Sequence, residues 1–520
     1  MGFVQIVAVA MVALVFFILL WSLLSACVLA PIKAHQKLRK SGFSGPKPSF
    51  PLGNLGEMKK GREICPSAGC SQVNVSHDIH SSSLPYFANW QKLHGKVFIY
   101  WMGTEPFLYV ADPEFLKQMS GGVLGKQWGK PAVFKSDRVP MFGRFGLNMI
   151  EGNDWTRHRH IITPAFSSSN LRAMTNSIAE STKKKIEQWT AVITANSSGA
   201  AELDVEKEIT ILAGEIIAKT NFGIDNEAGK ILLDKLRAMH ISLFKHTRYV
   251  GVPLGQFLTL NQTLEARRLG REIDGLLLSI IDARKKVVSL EPQHDLLGML
   301  LEAQREDRGL VKGLTTRELV DECKTFFFAG HETVALAIAW TLLLLAMHPM
   351  WQEELRREIA EVIGHKLEMD FTMLARLKKM GWVMSEVLRL YPSSPNAQRQ
   401  ARGDIRVGDK VIPNATNIWI DVVAMHHDQA LWGANVNEFK PERFSQDLNG
   451  NCKHKMGYVP FGFGGRMCIG RNYAIMEYKI VLSLILSKFS FSLSPSYRHS
   501  PTYSFSLRPR YGVPLVVKPL

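Results

Sequence analysis

Four glycines, one arginine and one cysteine fall within ten residues, 461–470, shortly before an apolar run from Ala474 to Leu486. Glycine permits positive φ and lets the backbone approach a flat ligand where a Cβ would collide. A cysteine in such a loop can present a thiolate to a metal when neighbouring N–H dipoles lower its pKa. Arg466, two residues before Cys468, is placed to meet an acidic group on the same ligand. The stretch therefore favours a binding loop for a flat, acidic ligand that carries a metal.

The spacing within this loop does not fit two common glycine-rich motifs. The dinucleotide pattern G-x-G-x-x-G needs a glycine where Met467 stands, and no Gly-Lys-Ser/Thr closes a phosphate loop. A lone cysteine is usually a small buried hydrophobe. The complete spacing F-x-x-G-x-R-x-C-x-G resembles the haem-binding loop of the cytochrome P-450 family, with every fixed position filled: Phe461, Gly464, Arg466, Cys468 and Gly470. The resemblance implies haem b (iron protoporphyrin IX), with the Cys468 thiolate as the axial ligand of the iron.

Composition narrows the class of protein. With 520 residues, 46% hydrophobic and 21% charged, the chain can bury an extensive core. Its six cysteines are scattered without a C-x-x-C pair, which argues against a disulfide framework and for a reducing compartment. The formal net charge of +16 suits an anionic membrane face or an acidic protein partner. No zinc finger or ribonucleoprotein motif is present, so the sequence predicts no nucleic-acid partner.

The N-terminus predicts a membrane anchor. Residues 3–30 contain no charged side chain, and about 20 apolar residues span a bilayer core. Lysines and arginines follow this run and none precedes it, which places the bulk of the chain in the cytosol. We expect an anchor over 1–31, a basic and proline-rich hinge over 32–53 and a catalytic domain over 54–520. The resemblance to microsomal members implies a single-pass protein of the endoplasmic reticulum membrane.

Periodicity predicts a mostly α protein with small β-sheets. Val97–Trp101, a turn at Gly103 and Phe107–Val110 are typical of a hairpin. A surface loop is expected over 60–84. Short strands are expected near 405–420 and towards the C-terminus, and helices over four longer segments: 178–193, 264–286, 317–346 and 350–363. The resemblance implies that these elements form the cytochrome P-450 fold.

Three further residues match propionate-binding positions of the same family. Trp155 and Arg159 form W-x-x-x-R on a predicted helix, where one turn's spacing places both on one face. Such a pair often merely stacks on a surface, but its position far upstream of the cysteine loop matches the family. Arg399 lies ten residues after Arg389 and matches a second propionate-binding arginine. The resemblance therefore implies that Trp155, Arg159 and Arg399 help to bind haem.

A structural role is implied for a second set of charged residues. Glu386 and Arg389 form E-x-x-R, and Arg443 lies in the sequence Pro-Glu-Arg-Phe. On an exposed helix an i, i+3 pair contributes little to stability. In the family the matching residues are buried together and hold the cysteine loop against the core. We assign Glu386, Arg389 and Arg443 to this structural role.

The segment 325–334 resembles the oxygen-activation site of the family. Gly330 within a helix costs about 1 kcal/mol relative to alanine, so a functional reason is expected, such as room for O₂ beside Ala329. Glu332 and Thr333 are expected to relay protons to the oxygen. Family members usually have Thr or Ser at the next position, where this chain has Val334. A zinc motif H-E-x-x-H is excluded, because Ala335 replaces the second histidine.

Taken together, the sequence predicts a haem-thiolate monooxygenase that uses O₂ and electrons from NADPH–cytochrome P-450 reductase. A basic face near Arg466 and Lys479 is expected to receive the acidic surface of the reductase. It most resembles plant membrane-bound members, in the clan that oxidises gibberellins, brassinosteroids, cytokinins, terpenoids and fatty acids. A lipophilic substrate is expected from the apolar character of the candidate pocket segments, which are 132–149, 242–258, 326–333 and 393–397. A terpenoid or terpenoid-derived hormone is favoured, with a fatty acid as the alternative. A reductase-independent isomerase or dehydratase and a non-catalytic haem sensor remain open.

Overall fold

The structure is a computed structural model that describes residues 2–64, 75–121, 127–224, 227–244, 249–288, 295–305, 313–364 and 369–520. Helices dominate these ranges. In chain order they are α1 (Phe3–Leu24), α2 (Ala30–Lys40), α3 (Leu55–Ile64), α4 (Ile79–Ser83), α5 (Pro85–His94), α6 (Pro113–Ser120), α7 (Ala132–Phe142), α8 (Gly152–Ile162), α9 (Ser168–Thr194), α10 (Val205–Phe222), α11 (Glu227–Phe244), α12 (Gly255–Leu258), α13 (Leu260–Val288), α14 (Leu296–Arg305), α15 (Thr316–Met347), α16 (Pro349–Val362), α17 (Lys378–Leu390), α18 (Val422–His426), α19 (Gln429–Trp432) and α20 (Arg471–Leu486).

The strands form small sheets. They are β1 (Val97–Met102), β2 (Glu105–Val110), β3 (Trp128–Gly129), β4 (Ala201–Asp204), β5 (Asn396–Ala401), β6 (Ile405–Val407), β7 (Lys410–Ile412), β8 (Asn417–Asp421), β9 (Phe489–Leu493), β10 (Pro501–Ser504), β11 (Ser506–Pro509) and β12 (Pro514–Pro519). The largest has the order β1-β2-β8-β5-β3, in which only the pair β2–β8 is parallel. The others are β4-β12-β9, β6-β7 and β10-β11. The mostly α architecture with small sheets predicted from the sequence is confirmed.

Helix α15 forms the centre of the core. It begins at a capping box, in which Thr315 Oγ1 accepts from the Glu318 backbone and the Glu318 carboxylate accepts from the Thr315 N–H. The apolar segment from Val334 to Leu345 is almost wholly buried. Although α15 is long and apolar enough to cross a membrane, it is enclosed by protein. It is a core helix that presents one face to the candidate site.

Helix α1 has the opposite environment, because its large apolar side chains are exposed. A π-helical turn, Ser25–Leu29, joins α1 to α2, and the helical stretch continues to Lys40. By length and composition, Gln5–Lys40 is a candidate membrane span. Helix α1 is therefore compatible with membrane anchoring, while α2 extends nine residues into the expected hinge.

The proline-rich part of the expected hinge packs on the five-stranded sheet, at strand β1. Phe43 is buried, and the Ser44 carbonyl accepts a hydrogen bond from the Ile99 N–H at 2.8 Å. Asn54 exchanges backbone and side-chain hydrogen bonds with Trp101, both at 2.9 Å. This segment is thus fixed to strand β1 at both of its ends.

The individual element predictions have mixed outcomes. The hairpin and the four long helices are confirmed, with ends that differ by a few residues or, for α9, ten residues at its start. The loop predicted over 60–84 is wrong at both ends, because α3 continues to Ile64 and α4 starts at Ile79, which is buried. Residues 65–74 of that prediction lie outside the described residues. Short apolar and polar turns of helix lack the periodicity that identifies longer ones.

Candidate active site

The cysteine loop lies directly before α20. Gly462 and Gly464 have φ values of 74° and 61°, in the left-handed region where glycine avoids the strain of other residues. The Cys468 N–H donates to the Phe461 carbonyl at 2.9 Å, which closes the loop, and Gly470 is the residue before α20. These bonds and turns explain why Phe461, Gly464 and Gly470 occur at fixed spacing around Cys468.

Cys468 differs from the other cysteines in the described parts of the chain. It is exposed, whereas Cys323 on α15 is buried and Cys27 and Cys452 are partly buried. Dense surrounding protein raises the pKa of the Cys468 thiol, while the Gly470 N–H and the charges of Arg159 and Arg471 oppose this rise. The Cys468 side chain is accessible although protein surrounds it. Both observations fit a sulfur that faces an internal space. Burial raises the pKa of Cys323 with no opposing cation, so that side chain is a poor thiolate.

The predicted propionate residues gather beside this loop. The Arg466 guanidinium lies 4.6 Å from the centroid of the Trp155 ring, and that of Arg159 lies 6.0 Å from it. Arg159 donates to the Met467 carbonyl at 3.0 Å. Arg399, on β5, lies over the Phe463 ring at 5.5 Å. Helix α8, strand β5 and the cysteine loop therefore bring all four predicted residues to one region.

All three of these arginines lack an ion pair with an acidic side chain among the residues that the structure describes. In the part of the chain that the structure describes, neither Arg399 nor Arg466 forms an ion pair. Burial lowers the pKa of Arg399 to about 10, and burial together with Arg399 lowers the pKa of Arg466 to about 10. Burial, followed by the charges of Arg399, Arg466 and Arg138, lowers the pKa of Lys130. Such a concentration of positive charge suits an anionic ligand.

Glu386, Arg389 and Arg443 meet as predicted. Glu386 and Arg389 are fully buried and joined by two hydrogen bonds, Nε–Oε2 at 2.7 Å and Nη2–Oε1 at 2.8 Å. Arg443 Nε donates to Glu386 Oε1 at 3.3 Å. Arg389 also donates to the carbonyls of His426 and Val436. The three side chains thus join α17 to the segment that precedes the cysteine loop.

On α15, one face is accessible and the other is packed. Ala329 is exposed and Thr333 is partly exposed, and the Thr333 hydroxyl donates to the Ala329 carbonyl at 2.8 Å. Val334 is buried in the core, so the hydroxyl that this chain lacks there would face away from Thr333. A Cβ on Gly330 would lie 2.8 Å from Ile217 Cγ1 on α10 and still closer to Cδ1. The structure therefore adds a helix-packing role for Gly330, and its expected role of leaving room for O₂ stays a prediction.

The sequence did not reveal an aromatic cluster around Phe328, the residue that precedes Ala329 on α15. Phe505 occupies the tip between β10 and β11 with φ of 69°, and its ring centroid lies 5.4 Å from Phe328, 5.0 Å from Phe244 and 5.9 Å from Phe142. Positive φ in a bulky residue is uncommon and often marks a functional position. Residues 245–248 of the expected pocket segment 242–258 lie outside the described residues. The cluster supplies an apolar wall for a lipophilic ligand.

Comparisons with known proteins decide the family. Residues 71–514 match the family model described as Cytochrome P450. The chain belongs to the cytochrome P450 family. Members use haem with a cysteine thiolate ligand, together with O₂, a lipophilic substrate and a redox partner, and this chain is a P450 monooxygenase.

Plant P450s are among its similar relatives. A protein named "Cytokinin hydroxylase" from Arabidopsis thaliana is 36% identical over 509 residues, covering 96% of each chain. "Cytochrome P450 714C2" from Oryza sativa subsp. japonica is 33% identical over 510 residues, covering 97% of this chain and 95% of its own. "Cytochrome P450 734A1" from Arabidopsis thaliana is 32% identical over 503 residues, covering 94% and 92%.

The site residues fit the P450 cofactor. Haem carries two propionates, and the unpaired guanidinium groups of Arg399 and Arg466 offer two cationic contacts for them. The accessible Cys468 sulfur offers a soft ligand for iron. The two arginines and the cysteine are therefore chemically suited to bind haem, in agreement with the P450 assignment.

The structure bears on two sequence interpretations of charged residues, of which the first concerns Glu332. The Glu332 carboxylate is buried and held by His240 Nδ1 at 2.8 Å and by the Ser506 hydroxyl. Burial alone raises its pKa, but these bonds and the charges of His240 and Arg508 lower it to about 2. These contacts join α15 to α11 and β11, and the relay role expected for Glu332 stays a prediction.

The second interpretation concerns the surface that would bind the electron donor, and it needs correction. The sequence interpretation placed a reductase-docking patch near Arg466 and Lys479. Lys479 is buried, with Nζ donating to the carbonyls of Leu374 and Leu377 at 2.7 and 2.9 Å. Arg466 donates to the carbonyls of Leu147 and Ile150. Both cations are therefore used inside the fold, and the docking patch predicted at these two residues is wrong.

Proposed function

We propose that this P450 is anchored in the endoplasmic reticulum membrane and receives electrons from NADPH–cytochrome P-450 reductase. Its substrate is a lipophilic small molecule, a terpenoid or a terpenoid-derived hormone, which it hydroxylates or epoxidises. The observation that carries this proposal is the aromatic wall of Phe142, Phe328 and Phe505, in which Phe328 directly precedes the accessible Ala329 on α15. The exposed apolar surface of α1 supports the membrane location. The similarity to proteins named cytokinin hydroxylase supports a plant hormone among the candidate substrates.

In this proposal Cys468 is the iron ligand, and Arg399 and Arg466 bind the propionates. Arg159 and Trp155 complete the cationic side of the site, with Arg159 fixed by its bond to the Met467 carbonyl. When bound, a thiolate-ligated haem supplies the O₂-activating chemistry. We expect Cys468→Ala to abolish the thiolate spectrum of the reduced CO complex while Cys323→Ala retains it.

Thr333 is the residue we propose as proton donor at the oxygen site. Its hydroxyl is held by the Ala329 carbonyl at 2.8 Å, on the accessible face of α15. A positioned hydroxyl can pass a proton to a reacting group within hydrogen-bond reach. Thr333→Ala should raise the hydrogen peroxide released per NADPH consumed several-fold, while Thr333→Ser, which keeps the hydroxyl, should stay close to wild type. Unchanged coupling in Thr333→Ala would contradict this role.

Reconstitution separates the proposed function from its alternatives. Purified holoprotein is combined with the reductase, NADPH and a panel of terpenoids, plant hormones and fatty acids, and products are followed by mass spectrometry. Incorporation of one atom from ¹⁸O₂ into a terpenoid or hormone supports the proposal. Turnover of a hydroperoxide without reductase would indicate an isomerase or dehydratase. CO binding without NADPH consumption on any substrate would indicate a non-catalytic haem protein.

A further inference from the structure

Arg138 on α7 is a cation with an unusual environment. Its guanidinium lies between two aromatic rings, 4.5 Å from the centroid of Phe134 and 5.0 Å from that of Phe505. Phe505 belongs to the aromatic wall described above, so Arg138 is at the edge of the proposed substrate space. Contact with two rings restricts the orientation of the guanidinium, and its N–H groups can still bind a ligand.

The hydrogen-bonding capacity of Arg138 is only partly used. Nη1 donates to Gln398 Oε1 at 3.0 Å, and Nε is inaccessible to solvent and has no hydrogen-bond partner. Within the described ranges, Arg138 forms no ion pair, although Asp137 precedes it in the chain. Burial lowers its pKa, which shows that the charge lacks full compensation.

Apart from the arginines predicted to bind haem, several cations that are buried or partly buried have acidic partners. Lys185 pairs with Glu208 at 3.3 Å, Arg508 with Glu206 at 2.8 Å and Arg389 with Glu386 at 2.7 Å. A buried charge without a partner is costly, so such a charge beside a binding space suggests that a ligand provides the counter-ion. Arg138 and Lys135 line one small cavity, and Lys135 is already paired with Glu151. Arg138 is therefore the better candidate for a ligand contact.

We propose that Arg138 binds a carboxylate on the substrate, so that the substrate is a lipophilic carboxylic acid. This inference rests on the proposed monooxygenase function and deepens it by naming the substrate class. The planar guanidinium can offer two parallel N–H groups to a carboxylate, and such charge-assisted pairs are stronger than neutral hydrogen bonds. Terpenoid acids and fatty acids share this chemistry, and the aromatic wall would receive the hydrocarbon part of either one.

Spin-state titration of the holoenzyme tests the proposal without the reductase. The probes are a diterpenoid acid and its methyl ester, and dodecanoic acid and its methyl ester. We expect at least one acid to bind the wild type about 10- to 100-fold more tightly than its ester. Arg138→Gln should remove this preference while leaving ester affinity within about threefold. Which pair shows the preference distinguishes a terpenoid source from a fatty-acid source.

Arg144→Gln is the matched control, because it removes the same charge from an exposed side chain in the following loop. It should retain the acid preference. Equal affinity for acid and ester in the wild type, no response to any acid, or an unchanged preference in Arg138→Gln would overturn the proposal. Loss of haem from Arg138→Gln would assign the cation to a propionate and would also overturn the proposal. Absence of NADPH turnover would contradict the proposed function alone, since these binding measurements need no electrons.

Discussion

At the scale of single residues, Glu386 binds more partners than the local sequence E-x-x-R indicates. Its two carboxylate oxygens accept from Arg389 and Arg443 and from the Lys440 N–H at 2.9 Å. Removing the charge leaves the fully buried Arg389 unpaired, which lowers the free energy of unfolding by about 3–5 kcal/mol. We expect Glu386→Gln to lose most of its haem, measured as the thiolate CO spectrum per mole of protein.

The control for this prediction is an ion pair with the same helical spacing whose side chains are about half exposed to solvent. Glu265 and Arg268 lie at i, i+3 on α13, with an Nη2–Oε1 distance of 2.7 Å. Water and salt screen such a pair, so Glu265→Gln should keep its haem and its Tm. Normal haem content in Glu386→Gln would show that the buried group does not hold the cysteine loop.

Glu332 supports a prediction about pH. Its pKa in the folded protein is about 2, below the value of 4.5 for an unperturbed glutamate. The stability contributed by its ionised form is therefore present above about pH 4.5 and is lost as the pH falls towards 2. Chemical unfolding of wild type and Glu332→Gln should show a wild-type advantage at pH 7 that shrinks below pH 4.5. An advantage that is constant over this range would contradict the assigned ionisation.

The sequence was sufficient for residues whose significance depends on short spacing. The loop around Cys468 and the pair Glu386–Arg389 were found because their partners lie within ten residues. Arg138, Phe505 and His240 were not singled out, because their contacts come from segments more than ninety residues away in the chain. Single-residue roles that arise from such long-range contacts leave no local pattern.

At the scale of elements, the contact between α15 and α10 depends on Gly330. Alanine there would press on Ile217, an overpacking cost of about 1–3 kcal/mol that helix propensity offsets by about 1 kcal/mol. We expect Gly330→Ala to lower the free energy of unfolding and Ile217→Val to relieve that strain. Denaturant unfolding of both single variants and the double variant should give a coupling of at least about 0.5 kcal/mol. Strict additivity would contradict this packing role of Gly330.

Element boundaries show why prediction from the sequence was incomplete. The hairpin β1–β2 was predicted because apolar residues and Gly103 mark it clearly. Helix α2 was divided at residue 31, since basic residues follow the apolar run there. In the structure the basic turn remains helical because Leu38 is buried and Trp101 Nε1 donates to His35 Nδ1 at 3.2 Å. Tertiary contacts with the sheet thus extend a helix that composition alone ends.

At the scale of the whole molecule, these contacts mean that the anchor is joined to the catalytic fold by packed residues. Phe43 is 2% exposed, and burial of a phenylalanine typically contributes about 3–5 kcal/mol. A variant that begins after residue 30 should therefore keep the wild-type Tm of the haem band, and only its membrane association should fall. A variant that begins at Asn54 removes Phe43 and the Ser44–Ile99 hydrogen bond. It should unfold at a clearly lower temperature, because one edge of β1 loses its cover; equal Tm values would instead support a catalytic domain that starts at residue 54, with a hinge that is structurally separate.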